Sequence, residues 1–133
     1  MNTMPAPDPS ALPRVLLVED DELNRITLEV LLEESGYEVV AASSLATARR
    51  KLTDGAYDVA ILDLHLGDGL GSALIGDLRQ AHPRAVLALI SGETDALRTD
   101  GVDLVLVKGN DPGRFLRDLR TALSRRPLRP RPA

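Results

Sequence analysis

The stretch Tyr57-Asp58-Val59-Ala60-Ile61-Leu62-Asp63-Leu64-His65-Leu66-Gly67-Asp68-Gly69 decides the fold of this 133-residue chain. Its centre, Val59 to Leu62, is a short continuous apolar run that Asp63 ends and that two glycines follow. A run that is apolar on both faces is typical of a strand buried between two layers. A carboxylate at the end of such a strand is costly unless it is solvated, paired or bound to a cation. An isolated aspartate would most simply cap the next helix, but three other apolar runs in this chain also end in polar groups.

Further apolar runs and helical patterns surround this stretch in regular alternation. Strands are predicted at 15–18, 37–42, 57–62, 86–90 and 104–107. Helices are predicted at 22–35, from Ser43 or Ser44 to Leu52, from Leu70 through Leu78 until Pro83 terminates the helix shortly after, at 93–98 as a shortened fourth helix, and from Asp111-Pro112 onward. Five strand–helix repeats predict an α/β fold, a single doubly wound (βα)5 domain with a parallel sheet and right-handed crossovers.

Composition limits the domain organisation and the classes of function. Residues 14–124 are expected to form one domain, between a disordered N-terminal tail at 1–13 and a basic Pro/Arg-rich tail at 125–133. Aromatic residues are only 2% of the chain, which argues against the stacking platforms of nucleic-acid binding modules. The absence of cysteine excludes disulfides and thiolate metal sites, and no apolar run has the length of a membrane span. We therefore expect a cytoplasmic protein with no direct nucleic-acid or membrane binding.

Polar side chains follow four of the five predicted strands at the point where each ends. Glu19 and Asp20 follow the first strand, Asp63 the third, Ser91 the fourth and Lys108 the fifth. In parallel sheets these ends share one edge, where the functional crevice lies. Three carboxylates placed together repel one another unless one is protonated or a cation lies among them, and Mg²⁺ prefers such oxygen ligands. A lysine and a hydroxyl beside that ion suit a phosphoryl group, with Asp63 as the nucleophile.

These strand ends resemble the motifs of the receiver domain of two-component response regulators (the CheY-like superfamily): Val18-Glu19-Asp20-Asp21, Ile61-Leu62-Asp63-Leu64, Ile90-Ser91-Gly92 and Val107-Lys108. The resemblance covers Arg14 to Ser124 and implies the flavodoxin-like strand order 2-1-3-4-5. It further implies that Asp63 is the phosphoacceptor and that Ser91 and Lys108 contact the phosphoryl oxygens. The implied cofactor is Mg²⁺, bound directly by Asp20 and Asp63, through water by Glu19, and by the backbone carbonyl of His65.

The sequence departs from the family pattern in four places. Gly67 and Gly109 stand where receivers usually have proline, after the phosphoacceptor and after the lysine respectively, and Val105 replaces a frequent aromatic residue. The distance from Ser91 to Lys108 is also several residues shorter than usual. A cis bond before glycine is costly, so the sequence leaves open whether the Lys108–Gly109 bond is cis, as the family's proline bond typically is, or trans.

The expected function is a phosphoacceptor signalling switch. A sensor histidine kinase or phosphotransfer protein would donate the phosphoryl group to Asp63, and the chain would signal by contact with a downstream protein partner, as a monomer or weak dimer. It would not be an enzyme apart from self-phosphorylation and autodephosphorylation at Asp63. The alternative is a pseudo-receiver, or the receiver of a hybrid kinase, that acts as a binding module without stable phosphorylation.

Two other classes are weaker alternatives. A haloacid-dehalogenase-like phosphatase would need a second aspartate two residues after the nucleophile, where this chain has His65. A flavin-binding flavodoxin would need aromatic residues to enclose the flavin ring, and the chain has two tyrosines and one phenylalanine.

Overall fold

The central feature of the computed structural model, which describes residues 12–92 and 101–126, is one five-stranded parallel sheet. Its strands, numbered in chain order, are β1 (Arg14–Val18), β2 (Glu38–Ala42), β3 (Val59–Asp63), β4 (Val86–Ser91) and β5 (Leu104–Val107). In space they follow the order β2-β1-β3-β4-β5, and every neighbouring pair is parallel. The predicted α/β class, the parallel sheet and the order 2-1-3-4-5 are confirmed.

Helices cover both faces of this sheet. They are α1 (Glu22–Glu34), α2 (Leu45–Leu52), α3 (Ile75–Ala81) and α4 (Pro112–Ser124). α2 and α3 bury leucines and alanines against one face, while α1 and α4 cover the other face. Helices therefore shield both faces of the sheet from solvent, which explains why the strand segments are continuous apolar runs instead of alternating patterns.

The middle strand, β3, begins later and ends later than the predicted 57–62. All five of its residues are buried, including Asp63 at its carboxyl end. Tyr57 precedes the strand because its side chain packs toward α2, where the hydroxyl donates to the Lys51 carbonyl at 2.8 Å. The ladder between β3 and β1 starts with Val59 opposite Val15, so the strand pairing carries Asp63 to the edge of the sheet.

Local sequence signals place most helix ends correctly. Ser44, one of the two predicted caps, accepts a hydrogen bond from the amide of Thr47 at the start of α2. Asp111 caps α4 with Pro112 in its first turn, as predicted. Gly36, with φ of +95°, follows the last turn of α1, a backbone conformation that favours glycine.

The third helix differs from the prediction at its start. Instead of beginning at Leu70, the α-helix begins at Ile75 after a tight 3-10 turn, Gly71–Leu74. The reason is a long-range contact, because the Gly71 amide donates to the Leu64 carbonyl at 2.8 Å and ties the chain to the end of β3. Gly71 is buried there, and a Cβ at this position would overlap the backbone carbonyl of Asp63.

Several predicted segments lie outside the described residues. They are the shortened fourth helix at 93–98, most of the N-terminal tail at 1–13, and residues 127–133 of the C-terminal tail. Within the described part of the chain, none of the helices combines the length and the apolar character needed to span a bilayer.

Gly71→Ala is expected to lower the free energy of unfolding by about 1–3 kcal/mol, because the new methyl group must displace the Asp63 backbone. Chemical denaturation followed by circular dichroism measures the change. Gly76→Ala is the matched control, since Gly76 lies exposed in α3 with open space around its Cβ position. This control should raise stability by about 0.5–1 kcal/mol through helix propensity. Equal effects of the two variants would contradict the close approach at Gly71.

Candidate functional site

The carboxyl edge of the sheet brings together the three predicted carboxylates. Glu19 and Asp20 follow β1 directly, and Asp63 ends the adjacent strand β3. One carboxylate oxygen from each residue lies within 4.8 Å of those of the other two. Glu19 and Asp63 are buried, whereas Asp20 is exposed at the mouth of the cluster. The sequence-based placement of these residues at one edge therefore agrees with the geometry.

Glu19 is the most unusual member of this cluster. Its side chain is 0% exposed, and neither of its carboxylate oxygens has a hydrogen-bond partner among the described residues. Burial, with the neighbouring Asp63 carboxylate second, raises the pKa of Glu19 to about 8. Without a bound cation, burial beside Asp63 therefore favours the protonated form of Glu19.

Asp63 is held through both of its carboxylate oxygens. The Lys108 ammonium group lies 3.1 Å from Oδ2, and the backbone N–H of His65 donates to Oδ1 at 3.2 Å. Burial tends to lower the pKa of Lys108, but the contact with Asp63 and the charges of Glu19 and Asp20 raise it above its ordinary value. Lys108 is thus a fixed positive charge beside the buried carboxylate.

Ser91 and Lys108 are neighbours at the same edge of the sheet. Ser91 is buried at the end of β4, and the amide of Lys108 donates to its carbonyl at 2.8 Å. The Lys108–Gly109 peptide bond, whose isomer the sequence left open, is trans, and Gly109 adopts φ of +92°. The fourth and fifth strands therefore end at the same edge as the carboxylate cluster, where the Lys108 ammonium group contacts Asp63.

The turn after β1 is fixed by residues whose roles the sequence only partly revealed. Asp21 is the N-cap of α1 and accepts from the Asn24 amide at 2.9 Å, so it lies outside the carboxylate cluster. The Arg25 guanidinium donates to the Glu19 carbonyl at 3.0 Å and lies 3.4 Å from the Asp20 carbonyl. Sequence reasoning missed Arg25, although its position one turn into α1 is a signal that it can reach back to the strand end.

His65 contributes its backbone instead of its ring to the contacts of the site. The residue is exposed and pairs with Leu70 in a two-residue antiparallel ladder, where Leu66 also pairs with Gly69. Its amide orients Asp63, as described above. The role of its carbonyl as a metal ligand stays a prediction.

The donor set fits a hard divalent cation. It consists of carboxylate oxygens alone, and two of these oxygens are buried without a partner among the described residues. A buried carboxylate that lacks hydrogen bonds is costly, and a cation with oxygen ligands removes that cost. A cation at this position, with Lys108 and Ser91 nearby, makes the edge suitable for an anion with several oxygens.

Comparison with known proteins agrees with this geometry. Residues 15–120 match the family model described as the response regulator receiver domain. The KDP operon transcriptional regulatory protein KdpE of Escherichia coli (strain K12) is 38% identical over 115 residues, which cover 84% of this chain and 51% of KdpE. The chain spans between 23% and 51% of the length of the first curated relatives it matches.

Two solved structures are similar along most of the described chain. The response regulator TrrA of Thermotoga maritima, solved in complex with Mg²⁺-BeF, has a TM-score of 0.75 at 26% identity and covers 84% of this chain and 99% of its own. A response regulator of Burkholderia pseudomallei was solved with a phosphorylated aspartic acid, a calcium ion and citrate. It has a TM-score of 0.75 at 29% identity, and the match covers 84% of this chain and 69% of the Burkholderia chain.

The raised pKa of Glu19 predicts a pH dependence of stability in the metal-free protein. The unfolded-state pKa lies near 4.5 and the folded value near 8, so the folded protein binds more protons between these values. The stability from this group is therefore full below about pH 4.5 and is lost as pH rises toward 8, at up to about 1.4 kcal/mol per pH unit. Urea unfolding in EDTA at pH 5, 6.5 and 8 measures this slope.

Glu19→Gln should flatten that slope, because glutamine does not titrate. Glu33→Gln, which changes an exposed carboxyl group on α1, is the matched control and should keep the wild-type slope. An unchanged slope in Glu19→Gln would show that another group produces the pH dependence.

Proposed function

Because the chain belongs to the family of response regulator receiver domains, we propose that it is a phosphoacceptor switch in which Asp63 receives a phosphoryl group. The observation that carries this proposal is the arrangement of Asp63 itself. Its carboxylate is 1% exposed, fixed by Lys108 and the His65 amide, and adjacent to an acidic pair suited to a cation. The donor would be a sensor histidine kinase or a phosphotransfer protein.

The transfer step follows from this arrangement. An oxygen of the Asp63 carboxylate forms a bond to phosphorus while the bond between phosphorus and the donor breaks. The leaving nitrogen or oxygen of the donor keeps the electron pair and takes a proton from solvent. Hydrolysis reverses the modification. Water attacks phosphorus, and the bond from phosphorus to the Asp63 oxygen breaks with its electron pair staying on the carboxylate. Inorganic phosphate departs, and one proton of the attacking water is released to solvent.

Mg²⁺ is the cofactor we propose for this step. Asp20 and Asp63 would hold it directly, Glu19 through a water molecule, and His65 through its backbone carbonyl. When bound, Mg²⁺ neutralises negative charge on the phosphoryl oxygens and on the carboxylate cluster. The solved TrrA complex with Mg²⁺-BeF and the phosphorylated aspartate of the Burkholderia protein support this assignment by relationship.

Lys108 and Ser91 would contact the phosphoryl oxygens. The Lys108 ammonium group, which contacts Asp63 before transfer, would shift to a phosphoryl oxygen, and the Ser91 hydroxyl would donate to another. The Lys108 ammonium group carries a positive charge and the Ser91 hydroxyl hydrogen a partial one, so both would stabilise the phosphoryl anion. Neither group would act as a nucleophile. Beyond self-phosphorylation and autodephosphorylation we therefore propose no catalytic turnover.

The functional output would be a change in affinity for a downstream protein partner. A phosphorylated aspartate favours one of two conformations only if its contacts differ between them, and Lys108 and Ser91 supply such contacts. A pseudo-receiver without stable phosphorylation is the competing proposal, favoured by glycine at 67 and 109. The complete set of Glu19, Asp20, Asp63, Ser91 and Lys108 at one edge favours the phosphoacceptor.

Intact mass spectrometry after incubation with Mg²⁺ and a small phosphodonor tests the proposal. We expect wild type to gain the mass of a single HPO₃ group, in a linkage that is cleaved by hydroxylamine. Asp63→Asn should gain none, whereas Asp77→Asn, which alters an exposed carboxylate on α3, should behave as wild type. A wild-type protein that gains no mass, or an Asp63→Asn variant that gains it equally, would overturn the assignment.

Mg²⁺ titration tests the ligand set independently of phosphorylation. Asp20→Ala should lose binding, because two remaining carboxylates offer too few oxygens for an ion that dehydrates reluctantly. Asp21→Asn is the matched control, since it removes a neighbouring charge while keeping an N-cap side chain for α1. Isothermal titration calorimetry that gives equal affinities for Asp20→Ala and wild type would refute Asp20 as a ligand.

A further inference from the structure

The loop after the middle strand, residues 64–70, is docked onto the start of α2 by one side chain. We call it the site loop. Asp68 accepts hydrogen bonds from the backbone amides of Leu45 and Ala46, with Oδ1 to nitrogen at 2.9 Å and Oδ2 to nitrogen at 3.2 Å. These hydrogen bonds, of which the one from Leu45 has the largest effect, hold the pKa of Asp68 below its ordinary value.

α2 is well suited to receive this carboxylate. Its first turn contains no acidic residue, and its own cap, Ser44, satisfies only the Thr47 amide. The first amides of a helix lack partners inside the helix and carry a partial positive charge. Asp68 thus completes the start of α2 from a loop more than twenty residues away in sequence.

The backbone of the site loop connects Asp68 to Asp63. Its two arms pair as a short ladder, with His65 opposite Leu70 and Leu66 opposite Gly69. Leu66 is buried in the core beneath the loop. At the base, the Leu64 amide donates to the Ile90 carbonyl at 2.9 Å. A shift of the loop tip therefore moves His65, whose amide orients Oδ1 of Asp63.

Asp68 lies between two glycines, so the site loop depends on this docking to be held in one conformation. Gly67 stands where the related domains usually have a proline ring, and a Cβ there would meet nothing in the described part of the chain closer than Asp20 Oδ2 at 4.0 Å. Gly69 has φ of +149°. Glycine loses more conformational freedom than any other residue when it is ordered, so this loop needs a contact to replace the missing ring.

We propose that Asp68 is a positioning residue for the phosphoacceptor: it fixes the site loop on α2 and thereby holds the His65 amide that orients Asp63. This inference rests on the proposed function, since it assigns a role in the chemistry of the same site. Asp68 itself touches neither Asp63 nor the metal ligands. Its effect passes through the loop backbone.

Asp68→Ala, Asp68→Asn and Ser44→Ala test the proposal as a matched set. Ser44→Ala removes the other side-chain cap of α2 and leaves the site loop untouched. Each variant is compared with wild type for thermal stability, amide hydrogen exchange, Mg²⁺ affinity and initial rate of phosphorylation by a small phosphodonor. All measurements are made well below the melting temperature, so that general destabilisation does not affect them.

Asp68→Ala should accelerate exchange of the His65 amide and lower both Mg²⁺ affinity and phosphorylation rate by about 10-fold, the lower limit for loss of a supporting contact behind a metal ligand. Asp68→Asn, which keeps one oxygen acceptor, should be intermediate. Ser44→Ala should lower the melting temperature while leaving His65 exchange, Mg²⁺ affinity and phosphorylation rate at wild-type values.

The proposal fails if Asp68→Ala and Ser44→Ala have the same His65 exchange and the same Mg²⁺ affinity, because Asp68 would then only cap α2. It also fails if His65 exchanges faster in Asp68→Ala while Mg²⁺ affinity and phosphorylation rate stay unchanged. A wild-type protein that takes no phosphoryl group would instead refute the proposed function. The exchange and Mg²⁺ measurements would still decide the role of Asp68.

Discussion

Two carboxyl groups, those of Glu19 and Asp63, are buried side by side at the carboxyl edge of the sheet. Burying charge of one sign is unfavourable unless a partner offsets it, and the Lys108 ammonium group forms its ion pair with Asp63. The pairing of β3 with both β1 and β4 keeps this arrangement in place, because it fixes which strand ends meet. The parallel order of the strands therefore matters most at this edge, where it concentrates negative charge that a cation can neutralise.

Much of this arrangement could be predicted from the sequence because its determinants are local. A parallel sheet turns each strand into a continuous apolar run, so the polar residue that ends a run marks the carboxyl edge. Asp63, Ser91 and Lys108 all follow such runs. Helix starts at Ser44 and Asp111 were equally accessible, since a capping side chain acts on an amide only two or three residues away.

The remaining features depend on contacts between residues that are distant in sequence. The start of α3 is delayed because Gly71 is tied to the end of β3, and no local pattern around Leu70 distinguishes a 3-10 turn from an α-helix. The raised pKa of Glu19 depends on how deeply the folded chain buries it beside Asp63. The sequence showed two glycines around Asp68 but assigned Asp68 no role, because its partner amides belong to α2 and are specified by the fold alone.

Because the site loop is docked on α2, an effect could pass from α2 to Asp63 and also from Asp63 to α2. If the position of α2 influences the orientation of Asp63, then the state of Asp63 must influence α2 by the same free energy, because thermodynamic coupling between two sites is reciprocal. Asp68 joins the site loop to α2 through direct hydrogen bonds, and the loop backbone connects it to the His65 amide that contacts Asp63. A proline ring in the loop would restrict its backbone without reference to α2, whereas under our proposal this loop is held by its hydrogen bonds to the helix. A partner that displaces the first turn of α2 would therefore loosen the contacts that orient Asp63, and one that stabilises that turn would favour the proposed phosphorylation of Asp63.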